Sequence, residues 1–177
     1  MKRALSFIAG VAIIAAVVHV AFVWALPRVI MSKAMSVIAG RAEANSFVEP
    51  KLATANARGV VRPSPDLAYS ICVLDLSKGP VRVQVPLTAP YTSVALYSPT
   101  TDNYFVRNDR QADGKPLDLV VLPKGTTALA GLPAGATAIE APADKGLVLV
   151  RRVVESKEAF PALDEVRKQA TCAPIKG

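Results

Sequence analysis

Residues 81–85 read Val-Arg-Val-Gln-Val. Apolar and polar side chains alternate with a period of two. In an extended chain the three valines therefore share one face, while Arg82 and Gln84 share the other, the pattern of a strand with one face buried. The flanking sequence has the same texture. Ala68 to Leu74 is a β-prone run closed by Ser77-Lys78-Gly79-Pro80, and Tyr91 to Tyr97 is another, followed by a turn around Pro99 to Asp102. Tyr104 to Arg107, Leu117 to Leu122, a short run near Ala136 to Ile139, and Leu147 to Val154 continue the series. Asp113-Gly114, Lys124-Gly125 and Pro133-Ala134-Gly135 supply the intervening turns. About seven strands, separated by turn clusters roughly every eight to twelve residues, predict a β-sandwich or barrel. Ser156 to Ala170 then reads as a helix, with Phe160, Leu163 and Val166 on one side and Pro161 in its first turn.

The start of the chain has a different character. No charged residue occurs from Ala4 to Leu26. As a helix that run would reach about 35 Å, enough to cross a hydrocarbon core of roughly 30 Å. Trp24 lies at its far end, where an indole favours the interface. A cleaved signal peptide also begins with basic residues, here Lys2 and Arg3, but its apolar core is shorter and ends in a small-x-small site. Trp24-Ala25-Leu26-Pro27 is a poor match to such a site, so a retained anchor is the favoured reading. The run is apolar all round, which argues against a core helix with a single apolar stripe. Basic residues flank both ends, and the short N-terminal tail favours the N-terminus inside and the rest of the chain outside.

Arg28 to Asn45 still reads as helix, with Gly40 a weak point and a kink expected at Pro27. That segment either continues the anchor into water or lies on the membrane surface. Residues 46–60 read as a polar linker. The predicted organisation is therefore residues 1–27 as tail and anchor, 28–60 as juxtamembrane helix and linker, 61–157 as the β domain, and 158–177 as C-terminal helix and tail.

The net charge of +7 is unevenly placed. Residues 28–62 carry six basic side chains against two acidic, whereas residues 63–157 carry ten against nine. The excess thus sits beside the anchor, where it can face anionic headgroups. The β domain has no basic stripe of the kind a phosphate backbone requires, so nucleic acid is not an expected partner. Membrane lipid, contacted through residues 4–27, is.

Cys72 and Cys172 are the two cysteines. An even count in an exported domain suits one disulfide, tying the last residues to an early strand; two separate buried thiols are the alternative.

Catalytic constellations are hard to assemble from this sequence. The single histidine, His19, lies inside the apolar run, where it can be a functional proton or metal group but on a single span more often bonds a partner helix or sits neutral among small residues. A Ser-His-Asp triad or an imidazole zinc site is thereby excluded from the β domain. There is no P-loop, dinucleotide fingerprint or nucleophile elbow. Asp102, Asp109, Asp113 and Asp118 are too loosely spaced for a carboxylate metal site. No catalytic residue, metal or cofactor is expected. If adjacent strands carry both dense polar segments, Arg62, Asp66, Tyr69, Tyr97, Asn103 and Asp109 could converge at one end of the sheet. Such a group suits a small ligand, or equally the turn caps and ion pairs that lock loops to strands.

The same segments carry a resemblance. Arg62-Pro63-Ser64-Pro65-Asp66-Leu67-Ala68-Tyr69-Ser70 runs on into Asp75-Leu76-Ser77-Lys78-Gly79-Pro80. Tyr91 to Tyr97, Thr101-Asp102-Asn103-Tyr104-Phe105 and Gly146-Leu147-Val148-Leu149-Val150-Arg151 follow in order. Over about residues 60–155 this resembles the bacterial domain-of-unknown-function family 1254, in a short, membrane-anchored form. The resemblance implies a β-sandwich of jelly-roll type and no particular catalytic residue. Longer members carry a second β domain from a companion family, which makes a separately encoded companion domain the expected partner. The expected protein is a single-pass component of the bacterial inner membrane, with its N-terminus cytoplasmic and its β domain periplasmic. It would dock another protein; the alternative is a small-molecule binder or enzyme using the polar cluster.

Overall fold

The apolar run forms one helix, α1, from Lys2 to Ala39. Pro27 lies inside it and does not end it, so the apolar run and the segment beyond belong to a single helix. Gly40 follows directly, and Asn45 closes the turn with φ of 60°. The helix is long and apolar enough to cross a membrane, with a mean hydropathy of 2.5 over its most apolar window and none of that window buried against the protein. In this computed structural model the described residues are 2–54, 56, 63–126 and 131–175.

Among them, nine strands form two sheets. They are β1 (Phe47–Val48), β2 (Leu67–Asp75), β3 (Val81–Val85), β4 (Thr92–Tyr97), β5 (Asn103–Asn108), β6 (Leu117–Leu122), β7 (Thr137–Glu140), β8 (Lys145–Val153) and β9 (Thr171–Pro174). A single 3-10 turn, Asp109–Gln111, follows β5, and a short helix α2 (Phe160–Arg167) precedes β9. One sheet has the order β1-β2-β8-β4-β5 and the other β7-β6-β3-β9. All pairs are antiparallel except β6–β7.

The period-two pattern explains the core. On β3 the three valines face inward and are fully buried, against Leu119 and Val121 of the neighbouring β6. Cys72 and Leu74 of β2, Val94 and Leu96 of β4, and Val148 and Val150 of β8 face them from the first sheet. Burying side chains of this size is worth about 1.5–3 kcal/mol each. A disulfide between Cys72 and Cys172 crosses this core from β2 to β9.

Three features differ from the sequence reading. β1 lies in the stretch read as linker, paired to β2 through Phe47–Cys72 and Val48–Ile71. β9 lies in the segment read as tail and is the partner of β3. Both sheets therefore draw on residues outside 61–157. The C-terminal helix is shorter than Ser156–Ala170, because Ser156 Oγ accepts from Ala159 N in a turn ahead of it and the chain leaves helix geometry after Lys168.

Candidate functional site

The first sheet is apolar on both faces, so its outer face also needs a cover. Along β2 the buried Ala68, Ser70, Cys72 and Leu74 alternate with half-buried Leu67, Tyr69, Ile71 and Val73. On β8, Leu147, Leu149 and Arg151 occupy the outer parity opposite the core residues Val148 and Val150. The last turns of α1 lie across this outer face. Met31 and Ile38, buried on α1, mark the contact. The contact is incomplete, and between helix and sheet lies a cleft of about 600 Å³. Residues 48–53 close one side of it through Val48, Pro50, Lys51 and Ala53.

The cleft holds a few polar groups on an apolar lining, the composition of small-molecule sites in general. Tyr69 and Arg151 are cross-strand partners at one part of the floor, and Ser93 of β4 flanks Arg151 on the other side. The Tyr69 hydroxyl accepts from Ser64 N at 2.9 Å, so it also fastens the turn leading into β2. Arg151 Nε and Ser93 Oγ are buried, and neither has a hydrogen-bond partner among the described residues. Tyr97 stands further along the same face, opposite Leu147. Arg41 and Lys51 are exposed residues that also line the cleft. Among the described residues no Asp or Glu lines it.

The polar residues expected from sequence are thus divided. Tyr69 and Tyr97 both line the cleft. Their partners on β8, Arg151 and Leu147, are four residues apart, roughly 13 Å along a strand, so the two tyrosines share a face and not an end. Asp66 is exposed beside the start of β2, where its carbonyl accepts from Val154 N at 2.9 Å. Asn103 is exposed, and its Nδ2 donates to Leu96 and Phe105 carbonyls at 3.4 and 3.3 Å. Asp109 opens the 3-10 turn, with one carboxylate oxygen buried and unpartnered among the described residues. Arg62 lies outside the described residues.

Sequence reasoning did not single out Arg151, nor Leu147 and Leu149 as cleft residues. Their signal was apolar residues at both parities of Ala68–Leu74 and Leu147–Val150, which marks a strand covered on both faces.

A second polar group lies inside the sandwich. Arg152 is fully buried; its Nη1 donates to Ser70 Oγ at 3.4 Å and its Nη2 to the Pro86 carbonyl at 3.3 Å. Burial, reinforced by the nearby Arg167, pulls its guanidinium pKa down to about 10. Arg167 of α2 is buried too, donating to the Pro50 and Tyr69 carbonyls at 3.0 and 3.1 Å and pairing with Asp164. These bonds dock α2 and the 48–53 segment onto β2. Glu49 is raised above the usual carboxylate range because its burial outweighs the pull of Arg167 and Arg152. Burial likewise raises the Tyr104 hydroxyl to about 12. Arg152 and Arg167 thus serve as structural ties, and among the described residues no three His, Cys, Asp or Glu side chains are grouped to hold a metal. A smaller cavity of about 310 Å³, between α2 and residues 87–89, is lined mainly by apolar side chains such as Leu87, Leu163 and Val166.

The comparisons with known proteins concern the same part of the chain. No match is found among the curated proteins. The crystal structure of the VPA0106 protein from Vibrio parahaemolyticus is similar, with a TM-score of 0.67 at 13% identity over 87% of this chain. An uncharacterised protein from Burkholderia cenocepacia matches at a TM-score of 0.45 and 17% identity, over 86% of this chain and 39% of its own. This chain spans 37% of the Vibrio protein's length, so the likeness is one of fold over part of a longer molecule. The pattern of a protein family of unknown function, DUF1254, matches residues 44–174, which take in β1, β9 and every strand between them. With the sandwich and both of its sheets inside that match, the chain belongs to the DUF1254 family.

Proposed function

We propose that this chain is a single-pass envelope protein whose cleft between α1 and the first sheet binds a small, largely apolar molecule. Residues 4–27 anchor it in the inner membrane, with the N-terminus cytoplasmic and the sandwich, which we read as jelly-roll in type, in the periplasm. The exposed apolar side chains along α1, such as Phe7, Ile14 and Phe22, support the anchor, since such a surface needs cover from water. The disulfide supports an oxidising compartment. The observation that carries the binding role is the cleft of about 600 Å³ holding Tyr69, Tyr97 and Arg151. Its volume falls in the range of about 300–1,000 Å³ usual for small-molecule sites. A binding role is favoured over catalysis because the cleft's described lining offers no nucleophile–base pair.

Native mass spectrometry of the full-length protein, purified in a mild detergent, tests this reading. The expected result is a bound small molecule that is lost in Leu149→Trp, whose indole fills the cleft. No bound mass, together with no displacement of an apolar fluorescent probe between wild type and Leu149→Trp, would overturn it. Docking of another protein is the second reading, favoured by the Vibrio protein, in which this fold makes up 37% of the chain alongside further polypeptide. Its partner would be a separately encoded companion β domain, visible as a stoichiometric protein mass in the same spectrum.

A further inference from the structure

We infer that the occupant of the cleft is an anionic phospholipid drawn from the membrane, its phosphate held at Arg151 and an acyl chain lying between α1 and the sheet. The inference rests on the binding role proposed above and assigns the ligand's class. The first ground is continuity. Ile30 and Met31, which line the cleft, lie four and five residues beyond Leu26, the end of the uncharged run. At about 1.5 Å per helical residue, the cleft begins roughly 6–8 Å past that run. An acyl chain leaving the bilayer would thus meet Ile30 within that distance, with Ile38, Ile71 and Leu149 further into the cleft.

The second ground is charge. Among the described residues the cleft is lined by Arg41, Lys51 and Arg151 and by no Asp or Glu. Among the described residues none of these three cations forms an ion pair. Juxtamembrane basic residues attract anionic headgroups over a zwitterionic surface.

The third ground is the unused hydrogen-bonding capacity of the floor. Among the described residues the Arg151 guanidinium, which lines the cleft, donates no hydrogen bond; its Nε and the Oγ of its cross-strand neighbour Ser93, which lies beneath the lining, are buried without partners. Buried donors are ordinarily satisfied, and a guanidinium fork suits phosphate oxygens well. The Tyr69 hydroxyl on the other side accepts from Ser64 N and keeps its own proton to donate, so it can support Arg151 at the headgroup.

The test uses the full chain in nanodiscs carrying a small fraction of lipid with a photoreactive diazirine in its acyl chain. Phosphatidylglycerol and phosphatidylcholine versions are compared, and the cross-linked peptides are mapped by mass spectrometry. Phosphatidylglycerol should label β2 and β8, while phosphatidylcholine should label chiefly residues 4–27. Arg151→Gln should lower sheet labelling by roughly tenfold, the effect of losing one charge-assisted contact. Should that variant melt early, Arg41→Gln/Lys51→Gln, altered at two exposed positions, should still lower it several-fold. Labels confined to residues 4–27 with both lipids, equal sheet labelling by both, or no effect of a folded variant would overturn the inference. A bound non-lipid molecule in the native spectrum, with labels confined to α1, would overturn the lipid and leave the binding role standing. Absence of both bound mass and sheet labels would remove the binding role as well.

Discussion

Cys72 and Cys172 are bonded across the interior of the sandwich, with Cα atoms 6.6 Å apart and 100 positions between them in sequence. Cys72 lies on β2, opposite Val148, and Cys172 on β9, opposite Val83. The bond therefore joins the two sheets directly and holds a four-residue edge strand in place. Closing a loop of that length stabilises by about 4–5 kcal/mol in the chain-entropy model. Cys72→Ala/Cys172→Ala should lower the guanidinium midpoint accordingly, and reducing the wild type should reproduce the change. An unchanged midpoint would mean that β9 is held by its pairing with β3 alone.

Arg167 has one carboxylate partner among the described residues, Asp164, while Lys168 approaches the same carboxylate at 2.8 Å. Burial pushes the Asp164 pKa up, but bonds from Lys168 and Arg167 overcome it and hold the group below its usual value of 3.8. A depressed carboxylate contributes stability above its unfolded pKa and loses it as pH falls through the folded value. Acid titration of the wild type should thus show a loss of stability below pH 3.8 that Asp164→Asn lacks. At neutral pH the same variant should cost about 3 kcal/mol, because it leaves a buried guanidinium unpaired. A neutral-pH cost near zero would show that carbonyls suffice for Arg167.

Glu49 has the opposite sign. Its raised pKa favours the protonated form in the folded state, so its contribution is present below 4.5 and is lost as pH rises through the folded value. Glu49→Gln should therefore improve stability at pH 7 relative to pH 4, measured as the difference in melting temperature between the two. An identical difference in wild type and variant would remove Glu49 from the pH response.

Gly146 sits where β8 passes close to β4. A Cβ there would stand 2.8 Å from the Tyr97 carbonyl oxygen, which belongs to backbone and cannot swing aside. Gly146→Ala should cost about 1–3 kcal/mol, the usual penalty of overpacking a tight site. Because Tyr97 lines the cleft, the shifted backbone should also weaken probe binding. A wild-type melting temperature in this variant would show that the two strands can separate at little cost.

The strands were legible wherever the period of two was clean. Val81–Val85 is the clearest case, and the runs from Ala68 to Val154 each became a strand. β1 has two residues and β9 four, one of them proline, so neither is long enough to display a period. Their places are set by long-range partners, Ile71 with Cys72 and Gln84 with Val83, which no local pattern encodes. Parity from Val148 and Val150 does point Arg152 inward and Arg151 outward, a distinction that residue type alone hides. The cleft was not legible, because α1 and β8 are separated by more than a hundred residues and only the folded chain brings their apolar faces together. The polar residues were found individually but not as a group, since strand pairing sets Tyr69 and Tyr97 apart along the sheet.

The helix that crosses Pro27 has a mechanical consequence. No loop intervenes between the apolar run and the turns that roof the cleft, so both belong to one continuous helix. About 12 residues extend past Pro27 within α1, roughly 18 Å at 1.5 Å per residue. A span tilted by about 20°, a common value, carries the far end of such an arm sideways by roughly 6 Å. If residues 4–27 span a bilayer as proposed, thinner bilayers would demand more tilt and thicker ones less, and bilayer thickness would bear on how widely the roof stands off the sheet.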